Sequence, residues 1–215
     1  MTGRFITFEG IDGAGKSTHL PACARLLRER GVPVLTTREP GGTDLAEAIR
    51  QWFLQRPIDP QTEALLAFAA RSDHLARIIL PALAAGEWVV CDRFTDSTVA
   101  YQGGGRGLGI ERVEQLEHWL HPRLQPHRTY LFDVDPEEAA RRRALARAAD
   151  RFEAEEVDFF ERVREAYRAR VAADVARHGP GRGRILVIDA GRSPSDIWRL
   201  LELDLLTNCL DGESP

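Results

Sequence analysis

The sequence predicts an open α/β fold in three layers, a parallel sheet of about five strands flanked by helices. Three observations carry this. Five short apolar runs alternate with helical segments of ten or more residues, a spacing that imposes parallel pairing through right-handed crossovers. Several runs are apolar throughout, as strands covered on both faces are. The first run leads straight into Gly10-Ile11-Asp12-Gly13-Ala14-Gly15-Lys16-Ser17, a G-x-x-x-x-G-K-[ST] loop in strand–loop–helix context.

Taken in order, Arg4 to Phe8 reads as the first strand and Thr18 to Arg30 as the helix after the loop. Gly31 ends that helix, and Val32 to Thr36 forms the second strand. The breaker-rich loop Thr37-Arg38-Glu39-Pro40-Gly41-Gly42-Thr43 follows. Helical spacing covers Asp44 to Leu54 and then Thr62 to Ala85, where Pro81 kinks or splits the run. Glu87 to Cys91 is the third strand, and a glycine cluster, Gly103 to Gly107, leads to a helix from about Ile110. Thr129 to Val134 is the fourth strand, with a helix opening at Pro136 behind it. An arginine-rich segment, a long helix to about His178, a fifth strand at Ile185 to Ile188 and a helix from Ser193 complete the pattern. This predicts a single domain over residues 1–210, a lid at about 141–153 and a frayed tail at 211–215.

The glycine-rich loop places the fold in the P-loop NTPase type. Its backbone amides turn inward around phosphate oxygens, and the helix that follows adds its positive dipole end. Lys16 reaches the β/γ-phosphates and Ser17 ligates Mg²⁺, with Thr18 continuing the loop. Of the 29 basic residues 28 are arginine, and the one lysine is Lys16. A compact ammonium in a tight loop is the place where a planar guanidinium does not substitute.

The formal net charge of −4 argues against a nucleic-acid footprint. Cys23, Cys91 and Cys209 are odd in number and widely spaced, which predicts reduced thiols and a cytoplasmic location. No signal pattern opens the chain and no apolar run approaches 18 residues, so no membrane partner is expected.

Asp92-Arg93 closes the third strand. An Asp there can hold a Mg²⁺ water or polarise an attacking oxygen, and Arg93 offers a fork for a second phosphate. A kinase needs such an acceptor site; a hydrolytic switch does not. Phe68 and Arg71, one helical turn apart, suit base stacking and donation to a base carbonyl, and Tyr101 suits a sugar. Taken singly, Phe68 equally fits a core position, Arg71 a solvated helix face and Tyr101-Gln102 a helix end.

The phosphate loop, Thr37-Arg38-Glu39-Pro40-Gly41-Gly42-Thr43, Phe68-Ala69-Ala70-Arg71, Asp92-Arg93-Phe94 and Ala100-Tyr101-Gln102-Gly103-Gly104-Gly105-Arg106-Gly107 occur here in one order and spacing. Together they resemble bacterial thymidylate kinases, from about Phe5 to Ala190. The resemblance implies transfer of the ATP γ-phosphoryl group to dTMP, with Mg²⁺, in a homodimer. It implies that Phe68 stacks on thymine, Arg71 bonds a base carbonyl, and Arg38 and Arg93 hold the dTMP phosphate. Ser97, Thr98 and Gln102 then line base and sugar, Tyr101 excludes a ribose 2′-OH, and Asp12 faces the acceptor sugar or its metal.

Some members of that family carry a transfer arginine at the position of Gly13; others supply it from the lid, so Gly13 predicts a lid supplier. Arg141-Arg142-Arg143-Ala144-Leu145-Ala146-Arg147 is the source, and Asp150-Arg151-Phe152-Glu153 matches the family. Relatives read Arg-Gly where this chain reads Ala146-Arg147, so the register stays open between Arg143 and Arg147, on one face at i,i+4 spacing. Arg147 is favoured for transfer, Arg142 or Arg143 for stacking on adenine, and Arg141 for solvent. The rival readings are a kinase for another nucleoside or nucleoside monophosphate and, remotely, a GTP-binding switch. The single Asn, Asn208, and the single Lys leave no N-K-x-D guanine motif.

Overall fold

The computed structural model describes residues 3–144 and 155–210. Strands β1 (Phe5–Glu9), β2 (Val34–Arg38), β3 (Trp88–Asp92), β4 (Arg128–Asp133) and β5 (Ile185–Asp189) form one sheet in the order β2-β3-β1-β4-β5. Every pairing is parallel. Helices α1 (Lys16–Glu29), α2 (Asp44–Gln55), α3 (Pro60–His74), α4 (Leu80–Ala84), α5 (Thr95–Thr98), α6 (Ile110–Leu120), α7 (Pro136–Ala144), α8 (Val157–His178) and α9 (Pro194–Asp204) accompany it. None of the described helices is long and apolar enough to cross a membrane.

Alternation along β1 explains the layering. Ile6 and Phe8 join Cys23, Leu27, Tyr130, Phe132 and Leu201 on one face, whereas Phe5 joins Leu75, Ile79, Val89, Cys91 and Phe94 on the other. Burying both faces requires satisfied polar groups between them, and Thr7 and Thr129 share a 2.8 Å hydrogen bond there. Phe8 and Arg38 both lie level with Asp92 in the ladder, so the loops after β1, β2 and β3 emerge together at one edge.

The second strand begins two residues later than the sequence predicts. Pro33 has no N–H to give the ladder, but its carbonyl accepts from Trp88 N, and pairing extends through Thr37 and Arg38 instead. The long run to Ala85 splits as Pro81 predicts, with a widened π turn over Leu75–Ile79 in which Leu80 N reaches back to Leu75 O. A second π segment, Val99–Gly105, follows α5 where the sequence gives only a glycine cluster. Its glycines serve close packing: a Cβ on Gly104 would lie 2.5 Å from that of Ala166 on α8.

Candidate active site

The loop after β1 is held to the sheet by backbone contact. A Cβ at Gly10, where φ is +128°, would lie 2.4 Å from the Phe132 carbonyl oxygen, so the chain turns off β1 with no room for a side chain. Ile11 and Ala14 are buried in the core, leaving their main chain to face a ligand. Gly15 leads into α1, where Ser17 and Thr18 stand exposed. Lys16 is buried and its Nζ donates to the carbonyls of Gly10 (2.9 Å) and Ile11 (3.2 Å). Burial and the Arg93 charge lower its pKa, a cost that an anion in the loop relieves.

Arg93 joins this loop to a cleft of about 760 Å³, counting its open mouth. Its φ of +72° is the left-handed value that side chains avoid, a strain the surrounding bonds hold in place. Nη2 donates to Asp12 Oδ1 (2.9 Å) and the Tyr101 hydroxyl (3.1 Å); Nη1 donates to Ser97 Oγ (3.0 Å) and the Tyr167 hydroxyl (3.4 Å). Burial alone would raise the Asp12 carboxyl, but Arg93 and Lys16 outweigh it and hold it well below the usual carboxylate range.

Arg71 lies deeper along the cleft. Its guanidinium is sandwiched between the rings of Phe68 (4.9 Å) and Phe94 (5.0 Å). Nε donates to Glu39 Oε2 (2.7 Å) and Nη2 to Thr98 Oγ1 (2.9 Å), while Nη1 is buried without a partner among the described residues. Glu39 is fixed in turn by His74 (3.0 Å), and His74 by Thr37 (2.7 Å). Gln102 donates to Glu63 Oε1 (2.7 Å), which turns the carbonyl end of its amide into play.

Phe68 packs in a buried cluster with Val99 and Val113 and shares one face of α3 with Arg71 at i,i+3 spacing, while Phe53, Leu54, Ala67 and Phe94 supply apolar wall to the cleft. Nη2 of Arg38 donates to both Glu47 oxygens (2.8 and 2.9 Å), and Arg50 of α2 lines the cleft. Burial, Arg38 and Arg93 lower the Arg50 pKa, against Glu47 and Asp92, which raise it.

The residues present fit Mg²⁺. Asp92 Oδ1 is buried without a hydrogen-bond partner among the described residues, and Ser17 stands at the start of α1. No cluster of three or more His, Cys, Asp or Glu suited to a metal occurs among the described residues.

At the other end of the loop, Arg143 Nη1 donates to the Asp12 carbonyl (2.8 Å) while its guanidinium lies 4.2 Å from the Phe160 ring centroid. Arg142 bonds Glu138 (2.8 Å) and the Ala190 carbonyl (2.9 Å), and Arg141 is exposed against Glu138. Arg147, most of the lid and the tail lie outside the described residues.

Sequence reasoning gave no role to Glu9, Arg50 or Tyr167. An acid ending an apolar strand was a usable signal for Glu9. Arg50 is one arginine among 28, and Tyr167 reads as an ordinary helix residue.

A thymidylate kinase family model matches residues 8–198. The thymidylate kinase of Ralstonia nicotianae is 55% identical over 206 residues, 94% of this chain and 97% of its own. That of Cupriavidus taiwanensis is 56% identical over 96% of this chain and 100% of its own, and that of Bordetella pertussis 55% over 92% and 91%. With the phosphate loop, the arginine-lined cleft and this similarity over nearly its whole length, the chain belongs to the thymidylate kinase family.

Proposed function

We propose that this chain transfers the γ-phosphoryl group of ATP directly to the phosphate oxygen of dTMP, giving dTDP and ADP. The observation that carries the reading is the Asp12–Arg93 ion pair: it joins the phosphate loop to a cleft that Arg71 also lines, its buried Nη1 without a partner among the described residues. A donor-phosphate site and a base-reading group thus face one space. The acceptor phosphate is already ionised, so no strong base and no covalent enzyme intermediate are required.

In this reading the loop amides and Lys16 hold the ATP phosphates, and Arg93 and Arg50 take the acceptor phosphate as Asp12 yields. Arg38 joins them when its fork leaves Glu47. Arg71 donates to a thymine carbonyl, Thr98 and Gln102 line the base, and Tyr101 covers the sugar. Ser17, and Asp92 through water, would hold Mg²⁺, which when bound would neutralise charge on the phosphates. Arg143 and Arg147 are the two candidates for the arginine on the transferred group; the contact of Arg143 with the loop supports it. Exclusion of water keeps ATP from hydrolysis.

A homodimer fits the same chain. Leu45 and Trp52 of α2, Leu65 of α3 and Trp119 of α6 are exposed on helices that pack side by side. Mass measurement in solution tests this. A cytoplasmic location matches three buried, unpaired cysteines.

Steady-state rates with dTMP, dUMP, dCMP, AMP and thymidine test the substrate. The reading requires the highest kcat/KM with dTMP; equal rates across the pyrimidine monophosphates contradict it.

A further inference from the structure

Glu9 is fully buried behind the cleft and receives three donors. Phe94 N bonds Oε1 at 2.7 Å, while the Ser97 and Tyr167 hydroxyls bond Oε2 at 2.5 and 2.9 Å. Each hydroxyl has one proton and donates to Glu9, and the two oxygens also lie 2.9 Å from one another. Their oxygens are therefore left as acceptors, and both accept from Nη1 of Arg93. Two short relays thus run from one carboxylate to one edge of one guanidinium. Neither Glu9 nor Tyr167 lines the cleft, whereas Arg93 and Ser97 do.

We propose that Glu9 and Tyr167 are positioning residues for the acceptor-phosphate arginine. They fix the inner edge of Arg93 so that its outer edge, now on Asp12 and Tyr101, is presented to the incoming phosphate. The proposal rests on the reading of Arg93 as a dTMP phosphate ligand. Its physical basis is that a left-handed arginine on a short turn has few supports of its own. The N–H of Arg93 bonds the Phe8 carbonyl and Phe94 N bonds Glu9, so β1 anchors the turn at both the main chain and the carboxylate. Tyr167 brings α8 into the same anchor. Removal of its hydroxyl leaves the fold's apolar contacts intact while freeing one relay. Removal of the Glu9 charge loosens both.

Equilibrium binding of dTMP and of thymidine, which lacks the phosphate, at pH 8, where Glu9 is ionised, separates positioning from general damage. In Tyr167→Phe, dTMP binding should weaken about tenfold while thymidine binding changes less than twofold; Glu9→Gln should show the same pattern, more strongly. Adding Tyr167→Phe to Arg93→Ala should cost no further dTMP affinity, since the group being positioned is gone. Equal weakening for both ligands, no weakening for dTMP, or full additivity with Arg93→Ala overturns the proposal. If Arg93→Ala itself leaves dTMP affinity unchanged, the underlying ligand reading fails. If Arg93→Ala costs affinity and Tyr167→Phe does not, only the positioning role fails.

Discussion

Arg143 and Gly13 occupy one space. A Cβ built on Gly13 would lie 3.1 Å from the Arg143 Cγ and 2.5 Å from the Ala139 carbonyl oxygen, and the Gly13 φ is +87°. A loop arginine at this position is therefore excluded by the very helix that delivers Arg143. Gly13→Ala should cost about 1–2 kcal/mol of stability, a fall in Tm of roughly 2–8 °C, and should lower kcat by displacing α7. Thermal melting and initial rates check this; wild-type values for both would mean that α7 yields freely.

Replacing the transfer arginine should lower kcat by about 10³-fold or more with ATP affinity little changed. Arg143→Ala and Arg147→Ala compared in the same single-turnover assay assign the role. The variant with the larger loss identifies it, and two wild-type rates would remove both arginines from the transfer step. Lys16→Ala should abolish turnover in either case.

Arg71→Ala should raise the dTMP KM by roughly 10–100-fold with little change in kcat, the expected loss for a buried charged hydrogen bond. Phe68→Leu should raise it too, since the ring lies 4.9 Å from the Arg71 guanidinium. Steady-state kinetics with dTMP decide this. A Phe68→Leu enzyme whose dTMP KM is unchanged would remove the ring from the support of Arg71.

Burial and the neighbouring Asp96 charge push the Glu9 carboxyl up to about 7, against the bonds from Ser97 and Phe94 and the Arg93 charge that favour ionisation. The folded chain therefore keeps a proton between pH 4.5 and 7 that the unfolded chain has lost, and stability falls as pH rises through that window. Urea midpoints at pH 5 and pH 8 should differ more in the wild type than in Glu9→Gln; an identical pH dependence would show that Glu9 does not titrate there.

Much of this site was legible in the sequence because it lies in contiguous strings at strand ends. Gly10 to Ser17, Arg38 to Thr43 and Asp92-Arg93 each follow a strand whose apolar run marks it, and the parallel sheet gathers strand ends at one edge. Helical detail was less legible. The widened turns at Leu75–Ile79 and Val99–Gly105 leave no periodic trace, whereas the i,i+3 spacing of Phe68 and Arg71 lies wholly within α3. Arg50 and Tyr167 reach the site from α2 and α8, and no local pattern distinguishes them from surface residues. Pro33, by contrast, was a readable signal: a residue without an N–H delays the ladder.

The central claim is that one cleft carries phosphate directly from ATP to dTMP. Incubation with γ-labelled ATP and dTMP, followed through a single turnover, tests it most directly. The account predicts label in the β-phosphate of dTDP, formed at the rate ADP appears, with none on the protein. Label recovered as free phosphate or bound to the chain, or ADP formed without dTDP, would contradict it.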